Sequence, residues 1–256
     1  SRGIKAISPW RDQVAAVGLN TVSKLVKTHG LKLSGYCRGG MFPAATAAGI
    51  QAADADNRQA VDEACELNAP CLVLVVGGLP GALAGQAAHK NIQQSRDQVF
   101  EGIEKLLAYA KSCNMPLAIE PLHPMYAADR ACINTLEQAL DVCDKLDPAK
   151  TGALGVAVDV YHVWWDPKLQ QQIERAGHNR LLAFHVCDWL TPTRDLLNDR
   201  GMMGDGVIDL RMIRALMESA NYNGPVEVEI FSSLDWWKRP MNDVLAICSE
   251  RLQTVC

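Results

Sequence analysis

No stretch of the 256 residues is long and apolar enough to span a membrane, and no segment of signal-peptide type opens the chain. A membrane protein is therefore not expected, and the compartment read from the sequence is the cytoplasm. Positive charge is in short supply as well: 25 Lys and Arg stand against 29 Asp and Glu, a net charge of −4. A nucleic-acid binder would carry a basic stripe, so a small-molecule partner fits better than nucleic acid or membrane; a homo-oligomer is compatible with all of this. The fingerprint GxGxxG is missing after the first strand, which removes the usual dinucleotide site, and Gly204 and Gly206 in GDG do not replace it. There is no CxxC pair. The nine cysteines are odd in number and scattered, with Cys71 and Cys187 inside apolar runs, so they read as reduced, buried thiols and not as a disulfide framework.

What the chain does have is apolar material: 48% of its residues are hydrophobic, enough for a large core. Short β-rich runs alternate with longer amphipathic stretches. The runs are Ile4 to Ser8, Leu31 to Cys37, Pro70 to Gly77, Met115 to Pro121, Leu154 to Tyr161, Leu181 to Asp188 and Pro225 to Ser232. Segments such as CLVLVV and LGVAV are nearly unbroken apolar, as expected of strands buried on both faces of a parallel sheet under helices. Helical spacing appears over Asp54 to Asn68, Ser95 to Cys113, Thr135 to Leu146 (with Asn134 as its cap) and Asp209 to Ala220 (with Asp209 as its cap). No linker interrupts the series. The expected fold is α/β, a single (β/α)8 TIM barrel domain spanning residues 1–256. Only seven strands are visible, and the chain opens directly on SRGIKAIS. It therefore reads as a barrel without its first strand and helix, with an incomplete barrel or one closed by fewer strands as the alternative.

Polar residues cluster at the C-terminal ends of these strands, the face on which β/α barrels build active sites. Glu120 ends LAIE, Asp159 ends VAVD, His185 lies in AFHVCD and Glu229 in VEVEI. Taken singly, each is an ordinary salt-bridge or core residue. Four on four consecutive strands are a candidate metal site, since three carboxylates and one imidazole suit one divalent ion such as Mn²⁺, Mg²⁺, Co²⁺ or Zn²⁺. A cation also offsets the cost of burying carboxylates. Glu227 rivals Glu229, because strand alternation puts both on the same face. All six tryptophans, Trp10, Trp164, Trp165, Trp189, Trp236 and Trp237, fall near predicted strand ends. An aromatic vestibule at the site is expected, with Trp165 and Trp189 as candidates for substrate contact; core or interface packing is the alternative. The loop Gly77 to Gly85 is read as a loop, with a lid as the alternative.

From LAIEPLHP through VDVYHVWWDP and FHVCDW to RGMMGDGVID and VEVEIFS, the sequence resembles the sugar phosphate isomerase/epimerase family with the xylose-isomerase-like barrel. D-Tagatose 3-epimerase, hydroxypyruvate isomerase and the inositol-catabolism isomerases are members of it. The resemblance covers essentially the whole chain. It implies metal ligands at Glu120, Asp159, His185 and Glu229, with the two glutamates as the acid/base pair. It further implies substrate contacts from His162, three residues after Asp159, and from Arg200, before the GDG loop; Arg194 is a rival for that last role. His123, in EPLHP, either lines the pocket or is structural. The flank EIFS favours Glu229 over Glu227, and the seven strands correspond to strands two to eight of the family.

The implied chemistry is a metal-dependent isomerase or epimerase of a keto-sugar or sugar derivative in carbohydrate metabolism. A metal-stabilised enediolate forms when one glutamate takes a proton, and the other returns it. The alternative with the same site is a carbon–oxygen lyase or hydratase acting on a 3-keto-sugar or glycoside. A metal-dependent phosphodiesterase needs more histidine ligands and a basic face than this chain, with six histidines, supplies. Four intact ligands argue against a non-catalytic sugar binder.

Overall fold

Alternating large and small apolar residues give this chain its layers. In Leu117–Ile119 and Leu154–Asp159 the bulky apolar side chains alternate with small ones, so the period of two sends each kind to its own face. In the computed structural model, which describes residues 3–256, Leu72, Leu74, Leu117, Ile119, Leu154, Val158 and Phe184 join one extensive core beneath the helices, while Cys37, Cys71, Val73, Ala118, Ala157 and Ala183 form a second, separate cluster. That second cluster is the packed floor of the barrel interior. Its small side chains leave room above it for larger polar ones.

The strands are β1 (Ala6–Ile7), β2 (Lys32–Leu33), β3 (Tyr36–Gly40), β4 (Leu72–Val75), β5 (Leu117–Ile119), β6 (Leu154–Asp159), β7 (Leu181–Val186), β8 (Asp188–Trp189), β9 (Arg200–Gly201) and β10 (Val226–Val228). The helices are α1 (Arg11–Val17), α2 (Leu19–Thr28), α3 (Ala47–Glu66), α4 (Ile92–Ser112), α5 (Leu136–Leu146), α6 (Val160–Val163), α7 (Leu169–Arg180), α8 (Leu210–Ser219) and α9 (Met241–Thr254). Strands β3, β4, β5, β6, β7 and β10 form one parallel sheet in that order. Strand β1 pairs in parallel with β2, and a bridge from Trp10 to Cys37 continues the contact along β3. The seven expected strand runs are thus all present and lie side by side in chain order. Among the described residues, no ladder joins β1 to β10. A cavity of about 1010 Å³ lies between them, lined by Ile4, Ala6, Val226, Val228 and α9 residues such as Leu252. No helix among the described residues is long and apolar enough to cross a membrane.

Helix starts follow the capping chemistry with two corrections to the sequence reading. Helix α3 begins earlier, because the Thr46 side chain accepts from the Gly49 N–H. Helix α5 is capped by Thr135, which accepts from the Gln138 N–H, and not by Asn134. The Asn134 amide instead donates to the carbonyls of Leu122 and Ala131 and ties down the loop after β5. Asp209 caps α8 as expected. The cysteines are all unpaired, with Cys71 and Cys187 buried. The loop Gly77 to Gly85 turns through a short 3₁₀ segment at Ala82–Ala84 and packs on the chain at Ala128.

Strand β6 carries Asp159, and its position depends on Gly155. A Cβ at Gly155 would collide with the carbonyl oxygen of Arg180 and come within 2.8 Å of Leu182 Cγ. Overpacking a rigid sheet in this way costs ~3 kcal/mol. Gly155→Ala is therefore expected to lower the midpoint of urea unfolding, and an unchanged midpoint would show that β6 can shift freely against β7.

Candidate metal centre

Each of three interior positions on the barrel floor is followed, two residues on, by a polar side chain at the strand's C-terminal end. Ala118 leads to Glu120, Ala157 to Asp159 and Ala183 to His185. Period-two alternation keeps each pair on the same face, so these three converge, and Glu229, after β10, joins them. Ligand-capable atoms of Glu120, Asp159, His185 and Glu229 all lie within 4.8 Å of one another. Asp159 is fully buried, His185 and Glu120 nearly so, and Glu229 is 9% exposed at the open side. His185 Nδ1 is the nitrogen that faces the cluster, 3.1 Å from Glu120 Oε1 and 3.6 Å from Glu229 Oε2.

Burial pushes Glu120 up to about 7, the His185 hydrogen bond pulls it down and Glu229 adds to the rise. Burial would raise Asp159 too, but Arg200, His162 and His185 outweigh it and hold its carboxyl well below the usual range. His185 is raised far above an ordinary histidine: burial opposes this, and Glu227, Glu120 and Glu229 overcome it. Hard oxygen donors around one borderline nitrogen, gathered in a repulsive buried set, fit a divalent cation.

Arg200 reaches this centre, and Arg194 does not. The Arg200 guanidinium is buried; Nη1 donates to Asp159 Oδ2 at 2.9 Å and to Glu229 Oε2 at 3.2 Å, and Nη2 lies 3.2 Å from His162 Nε2. It is held between two rings, 4.5 Å from the centroid of Tyr161 and 5.1 Å from that of Phe231. Its Nε–H is buried with no partner among the described residues. Arg194 is spent on Asp199, whose carboxylate also accepts from the Arg194 N–H. His162 is buried and neutral, lowered to about 3 chiefly by burial, and its Nδ1 accepts from the His123 N–H at 3.2 Å.

The aromatic residues near the centre form two groups, and Trp236 belongs to neither. The His123 and Tyr161 rings each stack on Trp189, at 4.9 and 4.6 Å between centroids. Trp165 meets His123 edge-on, Trp164 leans on Trp189, and Trp10 and Trp237 flank Phe231. Trp236 is different: it is buried, donates to Asp205 and lies under Arg239, so it is a packing residue. Tyr161 and Phe231, the rings that clamp Arg200, were not singled out from the sequence, although each adjoins a motif containing a ligand. Asp188 was missed as well. Its buried carboxylate accepts from the N–H groups of Trp189, Gly204, Gly206 and Ile208 and ties down the segment that carries Arg200.

Residues 2–246 match the family described as xylose isomerase-like TIM barrel. No curated protein sequence matches the chain. Among solved structures, protein SMc04130 from Sinorhizobium meliloti 1021 is 59% identical, with a TM-score of 0.93 over 99% of this chain and 89% of that one. The IolI protein with a bound zinc atom is 16% identical, with a TM-score of 0.80 over 98% of this chain and 87% of its own. The 3-keto-D-glucoside 4-epimerase YcjR from E. coli is 15% identical, with a TM-score of 0.74 over 99% of this chain and 90% of its own. The last two are likenesses of fold.

Proposed function

The chain belongs to the xylose isomerase-like TIM barrel family, and from that premise we propose that it is a divalent-metal-dependent epimerase or isomerase of a keto-sugar or sugar derivative. The observation that carries the reading is the convergence of Glu120, Asp159, His185 and Glu229 beside the aromatic-clamped Arg200. The zinc of IolI and the keto-glucoside of the E. coli epimerase point the same way.

Glu120, Asp159, His185 and Glu229 would hold the ion, which when bound supplies a Lewis acid for a carbonyl and its neighbouring hydroxyl. The protein's own groups do the rest. Glu120 and Glu229 each have one oxygen turned to His185, and the second oxygen of each is the one that meets substrate. They approach from β5 and from the end of β10, with β6 and β7 between them. One takes the proton next to the carbonyl and the other delivers a proton, to the opposite face of that carbon for epimerisation or to its neighbour for isomerisation. The unpartnered Nε–H of Arg200 is a ready donor to a substrate oxygen, and His162 offers a neutral imidazole beside it. His123 and Trp165, backed by Trp189 and the buried Tyr161, give a sugar ring a wall to pack on.

That same wall favours a second reading on a 3-keto-glycoside, in which proton removal is followed by loss of a β-substituent. Solvent deuterium appearing in a rearranged sugar supports the first reading, and release of an aglycone or a dehydrated sugar the second. The metal assignment is tested more directly. Elemental analysis of wild-type protein is expected to give about one divalent ion per chain, and Glu120→Gln and His185→Ala are expected to lose most of it. Full occupancy in both variants would remove the assignment.

A further inference from the structure

On the strands that end in Glu120, Asp159 and His185, the place two residues earlier is held by alanine. On the strand that ends in Glu229 that place is held by Glu227. Its side chain is only 14% exposed, and a carboxylate in such a place is costly unless it is used. The ladder between β10 and β7 sets Glu227 directly beside His185. Its Oε2 accepts from the Ser34 hydroxyl at 2.7 Å, which fixes the carboxylate from the opposite side. The same Oε2 lies 3.9 Å from His185 Nε2. That nitrogen is fully buried and has no hydrogen-bond partner among the described residues.

An imidazole that binds a cation through one nitrogen must carry its single proton on the other. Nδ1 of His185 is turned to Glu120 and Glu229, so the proton falls to Nε2. A buried N–H needs an acceptor, and the carboxylate held by Ser34 stands in front of it. We propose that Glu227 is a positioning residue for the metal centre: its carboxylate accepts from the Nε2–H of His185, fixing the ring's tautomer and orientation so that Nδ1 is presented to the ion. A small tilt of the ring or a single intervening water closes the 3.9 Å separation. Carboxylates placed behind metal-bound histidines act in this way, and their loss costs about 10- to 100-fold in metal affinity.

The inference rests on the metal reading above, and the experiment separates the two. Zn²⁺ affinity is measured by chelator competition for wild type, Glu227→Ala, Glu227→Gln, Ser34→Ala and His185→Ala, with thermal unfolding of each followed in parallel. Glu227→Ala is expected to bind Zn²⁺ about 10- to 100-fold more weakly than wild type. Glu227→Gln, which keeps an acceptor oxygen, is expected to recover part of the loss. Ser34→Ala, which frees the carboxylate without removing it, is expected to fall between wild type and Glu227→Ala. In the Zn²⁺-loaded protein, long-range ¹H–¹⁵N correlation is expected to show His185 protonated at Nε2, with that proton shifted or lost in Glu227→Ala. If Glu227→Ala binds Zn²⁺ as wild type does while its melting temperature falls, Glu227 merely pins β10 to the segment between β2 and β3, and the proposal is overturned with the metal site intact. If wild type itself binds no more Zn²⁺ than His185→Ala, the metal reading falls and takes this one with it.

Discussion

Loaded to saturation with metal, Glu229→Gln is expected to exchange the substrate's carbon-bound proton with solvent about 10²-fold or more slowly than wild type, the usual scale for losing a general base. The amide keeps a neutral oxygen that can ligate weakly, so with metal supplied in excess the substitution removes the base and leaves the ion in place. Glu120→Gln is expected to lose exchange to a similar degree, because the proposed mechanism needs both glutamates to move protons. Burial pushes Glu120 up to about 7. Without a cation it is largely protonated below that pH, and a bound ion restores the carboxylate needed to accept a proton. Deuterium incorporation followed by NMR, with metal content measured on the same samples, gives the answer. Wild-type exchange in a fully loaded Gln variant would make that glutamate a ligand only and would turn attention to His162, whose Nε2 is 3.6 Å from Asp159.

The second large effect is expected at a residue given no part in proton transfer. Asp188→Ala strips four N–H groups of one acceptor, those of Trp189 at 2.8 Å, Gly204 and Gly206 at 2.9 Å and Ile208 at 3.0 Å. Hydrogen bonds to a charged acceptor are each worth about 1.5–3 kcal/mol, and part of that returns when water reaches the loop. A net loss of ~3–5 kcal/mol follows, a fall in melting temperature on the order of 10 °C for a chain of this size. The loop cannot rearrange cheaply. A Cβ at Gly206 would strike the Trp189 carbonyl, and Gly204 has φ +89°, a conformation side chains rarely adopt. Because β8 and β9 hold Arg200 within this segment, the variant is expected to lose substrate affinity as well as stability. A melting temperature equal to wild type would mean that water replaces the carboxylate without cost.

The barrel and its four candidate ligands were legible because both rest on strand periodicity. An apolar run ending in Glu, Asp or His carries its own address: the strand's end, on the interior face. The features that escaped, or were left with a rival, depend on partners the sequence does not place. Arg200 and Arg194 are equivalent as letters; Asp199 decides between them by claiming Arg194. Asn134 has a good capping side chain, yet Thr135 caps α5 and Asn134 is drawn into the loop behind it. Asp188 acts through backbone N–H groups, which every residue but proline possesses. Glu227 was visible as a rival on the correct face, but its anchor, Ser34, lies 193 residues away in the chain. Of the tryptophans, Trp165 and Trp189 are gathered around His123, whereas Trp236 is set apart, its indole N–H satisfied by Asp205 in the packed interior.

The unjoined edge between β1 and β10 bears on how stiff the two halves of the centre are. Glu120 follows a strand with neighbours on both sides, whereas among the described residues Glu229 follows one paired only with β7. Backbone amides at such an edge open by local fraying at lower free energy than those at mid-sheet. A cation gripping β5, β6, β7 and the end of β10 together would act as a staple across that gradient. Slowed amide exchange on metal uptake would then concentrate at residues 226–229 and leave residues 117–120 almost as protected as before. The ion's structural contribution would fall where the sheet is weakest, on the side that carries Glu229.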